Sequence, residues 1–487
     1  MKRSIRLFLL VVLVAACAAP VSSPAVAPAG LPDGQRWLRH LNEELLPFWT
    51  SEAALGDPLG NFPSTRCNDG ARVDRANPCP EVGRNPWLMM NRDYVVAMSR
   101  QTYGYGVAFH LTGDPRYLRY AKAGVDYLRR NAFDRQTGGA FAYRDNETGT
   151  WGPEPAYRNP QELAYALLGV GFYYYLTRDA EVLPDILKAK DYIFKRYYNP
   201  ELNALQWMLE STGDAQATDK RLTAQLDQLN AYMVLLTPLL PEPQRTEWKQ
   251  DMTRLVRILM DEFYSPEDNL FFLRANSPEE KSSRAAETDF GHTIKAFWMI
   301  RFVGQMTGQP DLVEFAEANG ARVLERAFLA EAGSWASSVR KGGALNPDKE
   351  WWIYAELNQF AATMALEDPA YARYLLLATD YYFTHFVDHA HGEVWTSLDA
   401  RTNRPPADAM PKAWPWKSAY HSFEHALVGY ITAQQLYGAP VVLYYAFDQT
   451  PDSTTIHPYF FRASAFRLDV RVEDGLAIYR VEFSGVR

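Results

Sequence analysis

The sequence predicts an all-α chain folded as an (α/α)6 barrel, six helical hairpins closed into a ring, with a small strand-rich C-terminal appendage. Three observations lead there. A helix–turn–helix unit recurs about every 60–70 residues, the signature of a repeat architecture. Within each unit the helix before the turn is small and apolar on most faces, as in 164–175 and 295–306. The helix after the turn carries charge along one side, as in 117–130 and 181–197. Helices apolar all round belong inside and one-faced helices outside, so the repeats describe an inner and an outer ring.

Taken in order, the turns are Leu111-Thr112-Gly113-Asp114, Leu176-Thr177-Arg178-Asp179, Leu239-Leu240-Pro241-Glu242, Met306-Thr307-Gly308-Gln309, Ala365-Leu366-Glu367-Asp368 and Leu436-Tyr437-Gly438. An inner helix precedes each of the six, but an outer helix follows only five. Segment 35–49 supplies the missing partner and closes the ring beside the last inner helix, 424–435. A helical solenoid would instead need polar capping helices at both ends, and that last helix is apolar. The barrel domain therefore spans 33–438. Beyond it, 439–487 changes period: 441–445, 466–470 and 478–481 alternate or are β-branched, the pattern of short strands.

At the other end, residues 1–6 are basic and 7–14 apolar. That run is too short for a membrane span of about 20 residues, so it reads as a secretory signal. Val14-Ala15-Ala16-Cys17 resembles the lipobox of bacterial lipoproteins. The resemblance implies that 1–17 is a signal segment with Cys17 as its lipidation site; ordinary secretion with Cys17 discarded is the alternative. Residues 18–32, rich in Ala, Pro and Ser, read as a flexible tether. The expectation is an extracytoplasmic chain lipid-anchored to a bacterial membrane. In such a compartment Cys67 and Cys79, in a polar loop, can form a disulfide. The net charge of −8 becomes −11 once Lys2, Arg3 and Arg6 leave with the signal, which argues against nucleic acid as a partner. Aromatic residues make up 14% of the chain, with 13 Trp, an excess that suits stacking on sugar rings as well as a large helical core.

The long connections from outer to inner helices fall at one end of the scaffold, where binding groups usually sit. Gly291-His292-Thr293-Ile294-Lys295 opens the fourth inner helix and Trp416-Lys417-x-x-Tyr420-His421 the sixth. His292 and His421 would thus face one another across a pocket, and histidine suits proton abstraction and return near neutrality. Each could equally be a buried structural histidine. Asp289 can cap the fourth inner helix or reach the pocket. Glu356, on a largely apolar inner helix, is costly to bury without a partner. His425 follows His421 by four residues on the same helix, where it can act as its second-layer partner. His389-Ala390-His391 with Asp388 is read as a solvent-facing turn rather than a metal site, so no metal is expected. Gly-rich phosphate loops, zinc motifs and the Gly-x-Ser-x-Gly elbow are absent from the sequence.

Four motifs in this order, Met98-Ser99-Arg100-Gln101, Gly291-His292, Lys349-x-Trp351-Trp352-x-x-Ala355-Glu356 and Trp416-Lys417-x-x-Tyr420-His421, resemble those of the N-acylglucosamine 2-epimerase superfamily over about residues 35 to 438. The resemblance implies cofactor-independent chemistry next to a sugar carbonyl: ring opening, removal of the C2 proton to an enediolate, and return of that proton to the other face or to C1. It casts His292 and His421 as the acid/base pair and Arg100 as the cation beside the developing oxyanion. Glu356 would orient groups or substrate, and Trp352 and Trp416 would stack on a mono- or oligosaccharide. The sequence also departs from the family. Lys295 stands where many members carry Glu, and Glu424 where they carry Arg, which suggests a Lys295–Glu424 ion pair of exchanged polarity. Asp227-Gln228-Leu229-Asn230-Ala231 and Asn159-Pro160-Gln161-Glu162 also differ from the family's third and second inner helices. An (α/α)6 glycoside hydrolase or lyase, or a non-catalytic carbohydrate-binding lipoprotein, are the alternatives; protein partners are not legible.

Overall fold

A computed structural model describes residues 29–85, 88 and 91–487. The signal segment, Cys17 and most of the tether lie outside the described residues. Long helices buried on every side run through the centre: Val95–Thr112, Pro160–Thr177, the broken segment Leu222–Gln228 to Val234–Leu236, Phe290–Thr307, Trp351–Ala365 and Tyr420–Leu436. Each packs on the next, and the last packs on the first. Amphipathic helices cover them, among them Pro115–Tyr127, Leu183–Tyr197, Gln244–Ile258, Pro310–Ala327 and Ala372–Tyr381. The N-terminal stretch Gly34–Arg39, continued to Trp49, lies against the last inner helix. The result is an α/α barrel. Among the described residues no helix is long and apolar enough to cross a membrane.

The turns end the inner helices for identifiable reasons. Gly113 (φ 68°) and Gly308 (φ 69°) take the left-handed conformation that closes a helix C-terminus. Arg178 takes it as well (φ 58°), where a side chain is disfavoured. Its guanidinium compensates by donating to the carbonyls of Tyr174, Tyr175 and Thr455.

The connections at the pocket end are more ordered than the all-α expectation. Arg92–Tyr94 pairs antiparallel with Tyr143–Asp145, Thr288–Asp289 with Ser338–Val339, and Lys349–Glu350 with Ser397–Leu398. In all three the strand named first ends where an inner helix begins, so the ladders aim the first helical residues. A disulfide joins Cys67 and Cys79 in the loop ahead of the first inner helix.

The C-terminal region forms the expected sheet, with Leu476–Ser484 central between Val441–Tyr445 and Ala465–Glu473. It is not merely an appendage. Between its first two strands the chain turns back and seats Tyr459, Phe460 and Phe461 inside the barrel, at the end opposite the pocket. Phe460 packs against Trp298 and Phe302 of the fourth inner helix, with ring centroids 5.6 and 5.5 Å away.

Candidate functional site

At the N-terminal ends of the inner helices a cavity of about 240 Å³ is lined by Arg100, Gln161, Tyr165, His292, Lys295, Glu350, Trp351, Trp352, Trp414, Trp416 and His421. Arg100, His292, Trp352, Trp416, Lys295 and His421, singled out from widely separated motifs, thus meet at one surface. Gln161 and Tyr165 were missed as wall residues. Counted from the helix caps Asn159 and Asp289, Gln161 stands one residue ahead of the His292 position and Tyr165 matches Lys295; that equivalence was the available signal.

His292 is set by its own helix start. Asp289 is the N-cap: its Oδ1 accepts from the His292 backbone N–H at 2.6 Å, and its Oδ2 lies 2.7 Å from His292 Nδ1. With Nδ1–H donated to the carboxylate, Nε2 is the nitrogen left to exchange a proton. Burial pushes the Asp289 carboxyl up, but His292 and Lys295 together hold it below the usual carboxylate range. Gly291 has a steric reason. A Cβ there would come within 2.5 Å of the Trp352 ring, and that ring touches both histidines, at 4.6 Å from His292 and 5.9 Å from His421.

His421 is 4% exposed. Burial first, then the cations Lys295 and Arg100, push its pKa well below the ordinary histidine value, so it sits neutral at physiological pH. Its Nδ1 lies 3.4 Å from Glu356 Oε1. Glu356 in turn forms a buried ion pair with Lys295, Nζ to Oε1 at 2.9 Å. Burial disfavours the ammonium, but Glu356, with Tyr165 and Asp227 behind it, holds the Lys295 proton more tightly than on a free lysine.

The expected Lys295–Glu424 pair is therefore corrected: Lys295 pairs with Glu356 on the adjacent inner helix. Glu424 Oε1 instead accepts from Tyr420 Oη at 3.2 Å and from Tyr459 Oη at 2.5 Å. His425 does not support His421 either. It packs on Trp37 and Tyr382, with Nε2 3.2 Å from Asn358 Nδ2, on the side facing the outer helices. Four residues advance a helix by one turn plus roughly 40°, enough to carry the side chain out of the pocket.

Arg100 stacks on Tyr165, with Cζ 4.0 Å from the ring centroid, and donates to the Trp416 carbonyl. That fixes a buried guanidinium at the cavity wall, where a cation interacts strongly with developing negative charge. Asp227 takes the Gln161 amide at 2.9 Å and the Tyr165 hydroxyl at 3.1 Å, bracing the wall from behind. The Asp388 turn is committed elsewhere: its carboxylate accepts from Lys412 Nζ at 2.5 Å. Glu356, His421 and Glu424 lie close enough together to share a cation, but the Lys295 ammonium already occupies the Glu356 carboxylate.

Residues 83–425 match the sequence model of the N-acylglucosamine 2-epimerase family. The chain belongs to that family. Membership makes it an enzyme of the sugar-epimerase class. Among its relatives, a cellobiose 2-epimerase of Eubacterium cellulosolvens is 22% identical over 415 residues, covering 79% of this chain and 95% of the relative. One from Ruminococcus albus is 23% identical over 343 residues, covering 67% and 85%. The solved cellobiose 2-epimerase of Spirochaeta thermophila shares the fold with a TM-score of 0.68 at 19% identity, covering 83% of this chain and 97% of that one. The matched family region ends at residue 425, so the strand-rich extension and its Tyr459 segment lie beyond it.

Proposed function

We propose that this enzyme moves the proton at C2 of a reducing sugar by histidine acid/base catalysis through an enediolate, without a cofactor. The observation that carries the reading is the contrast between its two histidines on one cavity. His421 is kept neutral by burial and two cations, ready to accept a proton. His292 is held through Nδ1 by Asp289 at 2.7 Å, which leaves Nε2 for proton exchange. In this mechanism one histidine removes the C2 proton, the charge that builds on the carbonyl oxygen lies against Arg100, and the other histidine delivers a proton to the opposite face or to C1. Trp352 and Trp416 offer ring faces to the sugar. The carboxylates near the cavity favour this over hydrolysis. Glu356 is tied to Lys295, Asp289 to His292 and Glu350 to the Trp352 indole N–H, whereas glycosidic cleavage needs two carboxyl groups flanking the bond.

The test is an NMR screen of reducing sugars and disaccharides in deuterated water. Loss of the H2 signal with appearance of an epimer or ketose is expected; no exchange on any sugar tested overturns the reading. We also infer that the ring counts as an (α/α)6 barrel, and that Cys17 carries a lipid holding the domain on the outer side of a bacterial membrane. The Cys67–Cys79 bond supports an oxidising compartment. Cys17→Ala should abolish incorporation of a labelled fatty acid, and unchanged labelling would refute the anchor.

A further inference from the structure

We propose that Tyr459, contributed by the C-terminal extension, is a positioning residue of the epimerase site: through its hydroxyl it fixes Glu424 in the carboxyl pair behind His421. The proposal deepens the histidine mechanism and rests on it for its catalytic consequence, but not for its geometry.

Tyr459 is 1% exposed and held from several sides. Its backbone N–H donates to Tyr175 Oη at 2.9 Å, and the same hydroxyl donates to the His457 carbonyl at 2.6 Å. Phe460 stacks on its ring at 3.9 Å. Tyr103 Oη donates to Tyr459 Oη at 3.2 Å, and Tyr459 Oη donates onward to Glu424 Oε1 at 2.5 Å. The result is a directed relay from the first inner helix, through the extension, to the sixth.

Every element packed around Glu424 presents a group that matters to its charge. Its own helix gives Tyr420 and His421, the fifth gives Glu356 and Gln359, the fourth gives Lys295, and the first gives Tyr103. Across the ring, Asp227 and Tyr165 act on the Lys295–Glu356 pair. Oxygens of Glu356 and Glu424 and a ring nitrogen of His421 all lie within 4.8 Å of one another. Two carboxylates so close share a proton. Glu356 has Lys295 as its cation, whereas burial and Glu356 push the Glu424 carboxyl up to about 7. The Tyr459 hydroxyl opposes that push by donating to the charged form.

The readout is the full chain carrying [13C]histidine, with the His421 resonance identified by its loss in His421→Gln. Without sugar, that resonance should show a step near neutral pH from Glu424. Tyr459→Phe keeps the ring and removes the hydroxyl. The step should move up by about 1 pH unit, the size of one lost hydrogen bond to a charged group. The acid limb of C2 deuterium exchange should move with it. A role in packing alone leaves both unmoved, because phenylalanine fills the same space, and that result overturns the proposal. Glu424→Gln provides an independent arm should Tyr459→Phe not fold: the step must vanish, and its survival equally overturns the proposal. If the step moves as expected while wild-type protein exchanges no sugar proton, the relay stands and the proposed reaction falls.

Discussion

The ion pair Lys295–Glu356 invites a direct challenge by Lys295→Met. Both side chains are essentially dry, at 3% and 1% exposure, with Nζ and Oε1 2.9 Å apart. Methionine approximates the lysine stem and leaves Glu356 without its cation. Removing one member of a buried pair costs about 3–5 kcal/mol, most of it the burden of an uncompensated charge. The cost has a pH signature. In the variant, burial raises the Glu356 pKa in the folded state above its unfolded value, so the folded chain binds the extra proton. Stability then falls as pH rises from the unfolded carboxylate value through the raised folded one. Below about pH 4 both states of the variant hold Glu356 protonated, and that charge penalty disappears. Urea denaturation followed by circular dichroism should therefore show a deficit that is small in acid and approaches the full figure near pH 8. Lys295→Met with Glu356→Gln should recover much of it, since no bare charge remains. A deficit below about 1 kcal/mol at pH 8, or a double variant no better than the single, would refute the buried-pair account.

Other variants probe the remaining groups. His292→Gln and His421→Gln should each lower C2 exchange by about 10²–10⁴-fold with little change in melting temperature, the range for loss of an acid/base group; full activity in either removes it from the mechanism. Asp289→Asn keeps the helix cap but loses the carboxylate, so kcat should fall while stability holds. Asp289→Ala should add a stability loss of about 1 kcal/mol, and equal thermal melts for the two would contradict the cap. Gly291→Ala forces a Cβ to within 2.5 Å of Trp352. It should cost about 1–3 kcal/mol from overpacking and raise KM, measurable by melting and exchange kinetics.

What could be read from sequence follows the range of each interaction. The turns and the inner–outer distinction are local and periodic, so the ring order followed from them, including cover of the last inner helix by 35–49. The helix-opening histidines were legible for the same reason: position within a repeat fixes position around the ring. Pairing between helices was not. Lys295 lies on the fourth inner helix and reaches Glu356 on its immediate neighbour, whereas Glu424 belongs one helix further on. Exchanged charges at two positions fix neither the rotation of a helix nor the reach of a side chain. The two-residue ladders at 288–289 and 349–350 are too short to show a period. Segment 447–464 has no periodicity at all, yet it delivers Tyr459 to the centre of the molecule.

The meeting of the two chain ends has a consequence in time. Trp37 sits where a Cβ on Gly429 would come within 2.4 Å of its indole, a contact between positions roughly 390 residues apart, far beyond the short separations that speed folding. Until the last inner helix is made, the first outer helix lacks the helix it chiefly covers, and an open arc of apolar helices faces water. Closure of the circle is thus the late event of assembly, and the interval before it is when the nascent chain is most exposed to aggregation.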